Sequence, residues 1–172
     1  MRTEMIEKKF YKFDELSEKA KEYVIEKLWD INVDFNWWQF TYEDAENIGL
    51  KINEFDLDRG SYVKGDFIET AEDVANLIIK NHGEKCETYQ TAKNYLKDLS
   101  ELTAKNLIDN AAEEFPEDFL DTENIDKEFL RSLCEDYRIM LQHEYEYKTS
   151  EEAIKETIEA NDYEFDEEGN LQ

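Results

Sequence analysis

Apolar residues in this chain recur mostly at intervals of three and four, and one stretch, 49 to 68, departs from that rule by alternating. Leu50 and Ile52 alternate with polar residues, and so do Phe55 and Leu57, as a strand with one face on a core requires. The step from Ile52 to Phe55 breaks the period, and a bulge near Asn53 and Glu54 restores the buried face. Arg59-Gly60-Ser61 supplies a turn, and Tyr62, Val63, Phe67 and Ile68 give a returning strand. An isolated hairpin is marginal in water, so this one needs helices as its cover.

The 3.6-residue period predicts those helices. Ser17 opens the first, with Leu16, Ala20, Tyr23, Val24 and Leu28 at helical spacing. A second is expected from Asp34 to Ile48, with Phe35, Trp38, Tyr42 and Ala45 on one face and Gly49 ending it in a left-handed turn. Thr70 with Asp73 resembles a capping box, ahead of the stripe Ala71, Val74, Ala75, Ile78 and Ile79. From Thr88, Tyr89 to Ala111 reads as one long helix or two joined near Ser100. The acidic run Glu113 to Asp126, holding the only proline, Pro116, reads as a connection between helices. Leu130, Leu133, Tyr137, Met140 and Leu141 predict a core helix over 126–147, with Phe129 beside them. Ser150 caps a last one carrying Ala153, Ile154 and Ile158. Short strands at Lys9–Phe13 and Tyr163–Phe165 are expected to flank the hairpin. The fold class is therefore α+β, a single domain over 1–172 with a small antiparallel sheet centred on the hairpin and packed by five to seven helices.

Charge changes the picture most. The chain has 172 residues and a net charge of −25. Residues 113–172 hold 5 basic and 21 acidic side chains, well over half of that excess. Such a field disfavours direct binding to nucleic acid or anionic membrane and steers basic protein surfaces inward. Hydrophobic content of 40% supplies a core, which a disordered polyanion lacks. With no apolar run near the roughly 18 residues that span a bilayer, and two distant cysteines, Cys86 and Cys134, the expectation is a soluble cytoplasmic protein with free thiols.

Candidate chemistry is sparse. His82, Cys86, Cys134 and His143 invite a zinc reading, but nine residues on one helix put Cys134 and His143 on opposite faces. Asp56-Leu57-Asp58-Arg59-Gly60 has the alternating acids of a calcium loop without its bidentate glutamate. No phosphate loop, nucleophile elbow or catalytic triad is visible. We therefore expect no enzyme, no cofactor and no metal. Two features remain. In the aromatic cluster Trp37, Trp38, Phe40 and Tyr42, Trp37 points away from the core face and is the candidate interface residue. The acid-rich segments offer Glu113, Glu114, Glu117, Asp118, Asp121 and Glu123, with Glu164, Asp166, Glu167 and Glu168, as groups that stand where phosphates would in a basic groove.

Phe10-Tyr11-Lys12-Phe13-Asp14-Glu15-Leu16-Ser17-Glu18-Lys19-Ala20-Lys21, Tyr137-Arg138-Ile139-Met140-Leu141-Gln142 and Tyr163-Glu164-Phe165-Asp166-Glu167-Glu168-Gly169 resemble a family of small acidic proteins carried by bacteriophages and prophages. The resemblance implies an anti-CRISPR or antirestriction inhibitor acting inside a bacterial host cell. Its partner would be a DNA-binding defence nuclease, of the RNA-guided kind, occluded by acids that mimic DNA. On this expectation charge reversal in 113–123 weakens inhibition more than reversal in residues 1–30. Two alternatives stand beside it: a phage regulatory or scaffold protein using the Trp37 contact, and a hydrolase with a carboxylate site of no familiar motif. Oligomeric state is left open.

Overall fold

A computed structural model describes residues 8–111 and 121–172. It contains helices α1 (Glu18–Lys27), α2 (Gln39–Asn47), α3 (Ala71–Asn81), α4 (Glu87–Asn110), α5 (Glu123–Lys148) and α6 (Glu151–Ala160), and strands β1 (Leu50–Asp56) and β2 (Tyr62–Phe67). The fold is α+β, with six helices and a two-stranded antiparallel hairpin among the described residues. The chain clusters into two compact units, 38–142 and the two chain ends, 1–37 with 143–172.

The hairpin belongs to the first unit. Leu50 lies opposite Phe67 and Asp56 opposite Tyr62, and the register slips between Ile52 and Glu54, where the broken alternation predicts a bulge. That slip returns Phe55 to the same side as Leu50 and Ile52, so the sheet keeps one apolar face. α2 runs straight into β1. Thr70 caps α3 by accepting the Asp73 N–H at 3.2 Å and donating to Asp73 Oδ2 at 2.7 Å, and α3 packs on α4. α4 is one helix through Ser100. Tyr95 stacks on Phe129 of α5 at 4.4 Å between ring centres, and Phe129 meets Phe67 of β2 at 5.4 Å.

The second unit is built on α1 and α6. Ser17 and Ser150 cap them, each accepting an amide hydrogen from three residues on at 3.3 Å. Ala20 and Val24 of α1 share a buried cluster with Ile154 and Ile158 of α6, Phe13 and Phe165. The strands expected at Lys9–Phe13 and Tyr163–Phe165 do not form; isolated bridges stand in their place. Tyr11 exchanges two backbone hydrogen bonds with Phe165, at 2.8 and 2.9 Å, and Phe165 also bridges Leu171. One bridge joins the two chain ends within this unit.

The helix expected from Asp34 begins only at Gln39. Residues 29–36 form turns instead, and Phe35 is exposed. A tertiary anchor overrides the helical spacing: Asn32 donates to the Lys148 carbonyl at 3.1 Å and accepts the Thr157 hydroxyl at 2.7 Å.

Candidate functional site

The anticipated acidic surface is placed only in part. Glu113, Glu114, Glu117 and Asp118 lie outside the described residues. Asp121 and Glu123 are exposed at the start of α5. Asp121 accepts the Glu123 N–H at 3.1 Å and Glu123 pairs with Lys127. In the second unit, Glu164 shares Lys12 with Asp162, at 3.2 and 2.8 Å. Asp166 serves the fold: its Oδ1 accepts the N–H of Glu168 at 3.1 Å and of Asn170 at 2.8 Å, and these backbone donors, those of Asn170 first, hold its carboxyl below the usual range. Glu167 and Glu168 stand exposed at that turn.

Trp37 is a correction. It is 6% exposed, its indole 5.7 Å from the Tyr145 ring. Because α2 starts after it, the helical phase that would aim it outward does not apply. Phe40, at 79% exposed, is the aromatic that faces solvent, as do Phe35 and Trp29.

Sequence reasoning passed over two acid rows that the second unit organises. On α1, Glu18, Glu22 and Glu26 are exposed opposite the buried Ala20 and Val24. On α6, Glu152, Glu156 and Glu159 are exposed opposite Ile154 and Ile158. Among the described residues no ion pair neutralises Glu22, Glu26, Glu152 or Glu159, whereas Glu18 pairs with Lys21. The i, i+4 and i, i+3 spacing that makes each row is visible in the sequence; only the outward aim needed the packing.

The histidines and cysteines do not converge. Among the described residues no group of three or more metal-ligating side chains comes together. Cys86 and Cys134 are free thiols, one exposed and one buried. His82 joins a polar chain instead: its Nδ1 is 2.7 Å from the Thr88 hydroxyl, its Nε2 is 3.6 Å from Asp44, and Asp44 accepts the Tyr137 hydroxyl at 2.8 Å. Thr88 is 3% exposed and Tyr137 fully buried, so the chain ties α2, α4 and α5 together and offers no reachable nucleophile.

Among the described residues Asp136 is a poorly accommodated charged group. One carboxylate oxygen is buried with no hydrogen-bond partner among the described residues. Burial raises its pKa, with Glu87 and Glu135 adding to the effect and Thr91 opposing it. A carboxyl whose folded pKa is raised loses its stabilising contribution as pH rises through that value. Asp136→Asn is therefore expected to stabilise the protein at pH 7 by roughly 1 kcal/mol, seen as a higher Tm in calorimetry. The gain should shrink as pH falls through the raised folded pKa and vanish well below about pH 3.9, the unfolded value, where the aspartate is neutral in both states.

Comparison with known proteins adds no relative. No protein-family model, curated protein or solved structure matches this chain. The functional reading therefore rests on its own charge, packing and surface. No helix among the described residues is long and apolar enough to cross a membrane.

Proposed function

We propose that this protein is a rigid polyanion that binds the basic, nucleic-acid-binding surface of another protein and occludes it, as an inhibitor of a host defence nuclease would. The observation that carries this reading is the pair of acid rows on α1 and α6, held outward by a shared apolar cluster. Successive acids four residues apart on a helix are about 6 Å apart along its axis, close to the spacing of alternate phosphates on one DNA strand, about 7 Å. A folded scaffold presents that pattern without the ordering cost that a flexible acidic tail would meet on binding. Glu167 and Glu168 extend the exposed charge of the same unit.

The test is competition. DNA-binding defence nucleases, RNA-guided and restriction types, are loaded with labelled DNA and titrated with the protein at low and high salt. Displacement from one of them, relieved by salt, is the expected result. Reversing Glu22, Glu26, Glu152 and Glu159 to lysine should weaken it at least tenfold, about 1.4 kcal/mol or more. Reversal within 113–123 gives the second comparison: a smaller loss there than from Glu22 and Glu26 moves the contact onto α1. No displacement from any nuclease sinks the proposal.

The exposure of Phe40 favours a second reading, an interaction protein with an aromatic contact. Salt separates the two, since a contact led by Phe40 would survive high ionic strength and fail in Phe40→Ala.

A further inference from the structure

The outer edge of β2 borders a concavity shared with α5. The Ile68 N–H donates to the Gly49 carbonyl at 2.8 Å, and in an antiparallel ladder successive residues turn their backbone groups alternately toward and away from the neighbour. Asp66 and Lys64, opposite Lys51 and Glu54, are thus in phase with Ile68 and face β1. Val63 and Gly65 turn theirs the other way, into a groove of about 920 Å³ that runs from Ser61 to Asp66 on the strand and from Lys127 to Asp136 on α5. The Gly65 N–H bonds the Cys134 sulfur, a weak acceptor that a carbonyl would readily replace. Val63, Leu130 and Cys134 give the groove an apolar floor.

Its charge is less balanced than the lining suggests. Lys64, Lys127 and Arg131 are each already paired within the chain, to Glu54, Glu123 and Glu128, and Glu135 is held by Arg138. Among the described residues Asp66 accepts from the neutral Asn53 amide alone, at 2.7 Å, and one oxygen of Asp136 has no partner. Among the described residues the lining acids without a cation outnumber the lining cations without an acid.

We propose that this groove takes an extended segment of a partner protein in which apolar residues alternate with Lys or Arg, added to β2 as a third strand. Its main chain bonds Val63 and Gly65, its apolar side chains cover Leu130 and Cys134, and its cations, on the opposite face, meet Asp66. The strand also closes an edge that a two-stranded sheet leaves open. Six residues of β-strand span about 20 Å, which sets the length recognised. The inference shares with the proposed function only the premise that the partner is basic.

The experiment titrates the full-length, isotope-labelled protein with a synthetic hexapeptide alternating Val and Lys, followed by amide shifts in NMR. Shifts confined to 61–66 and 127–136 are expected. Alternate N-methylation of the peptide backbone, which changes the probe and leaves the protein intact, should cost at least about tenfold in affinity, and so should Asp66→Asn. Shifts spread over the α1 and α6 acid rows, unaltered binding of the N-methylated peptide, or equal binding of a Val–Glu peptide would overturn it. Peptide capture in the groove with no nuclease displaced would reject the proposed function and leave the groove assigned. Displacement with the groove silent would do the reverse.

Discussion

Gly169→Ala is expected to destabilise the unit built on α1 and α6 by about 2–4 kcal/mol. Two costs meet at this position. Gly169 has φ +90°, where an L side chain is strained by about 1–3 kcal/mol. An added Cβ would also lie 2.9 Å from the Ala20 carbonyl oxygen and 3.0 Å from Val24 Cγ2. The carbonyl belongs to the backbone of α1 and cannot rotate aside, and Val24 is fully buried. Relief requires the 166–169 turn to lift away, which strains the Phe165 pairing with Tyr11 and Leu171. Gly60→Ala is the control: its φ is +82°, but a Cβ there meets nothing within 4 Å, so only the backbone cost applies. Calorimetry should give a Tm drop of roughly 6–12 °C for Gly169→Ala and clearly less for Gly60→Ala. Hydrogen exchange should locate the loss in α1, α6 and the bridges at Phe165. Equal drops for the two variants would show that the approach to α1 contributes nothing.

What the sequence makes legible is what local periodicity and capping decide. The hairpin, its bulge at Ile52–Glu54 and the caps Ser17, Thr70 and Ser150 all follow from a few neighbouring residues, and the structure places them as expected. The misplaced start of α2 and the burial of Trp37 have a different origin. Asn32 is fixed by Lys148 and Thr157, more than a hundred residues away, and no local pattern encodes that anchor. The pairing of Tyr11 with Phe165 is as remote. Acids pose a further difficulty: with 45 of them in the chain, spacing alone does not separate Asp166, which serves its turn, from Glu22 or Glu159, which face outward. Asp44 is equally anonymous until folding sets it between His82 and Tyr137.

That placement makes Tyr137→Phe the most informative change in the unit holding the hairpin. Tyr137 is fully buried and its hydroxyl donates to Asp44 at 2.8 Å. His82 first, then Tyr137, holds the Asp44 carboxyl below the usual carboxylate range, against the opposing effect of burial. Burial and the Asp44 charge push the Tyr137 phenol upward, so it stays protonated and remains the donor at any pH at which the protein is handled. Removing the hydroxyl leaves the ring in place and deprives a half-buried carboxylate of a charge-assisted hydrogen bond. About 1.5–3 kcal/mol should be lost at neutral pH. Because the Asp44 pKa is depressed in the folded state, its stabilising contribution is present above the unfolded value, about 3.9, and is lost as pH falls through the folded one. The stability gap between the parent and Tyr137→Phe should therefore be constant from pH 8 to pH 5 and narrow below about pH 4, whereas Tyr137→Ala, which also opens a cavity, should keep a large deficit at every pH. A gap for Tyr137→Phe that ignores pH would mean that the ring, and not its bond to Asp44, holds α5 against α2.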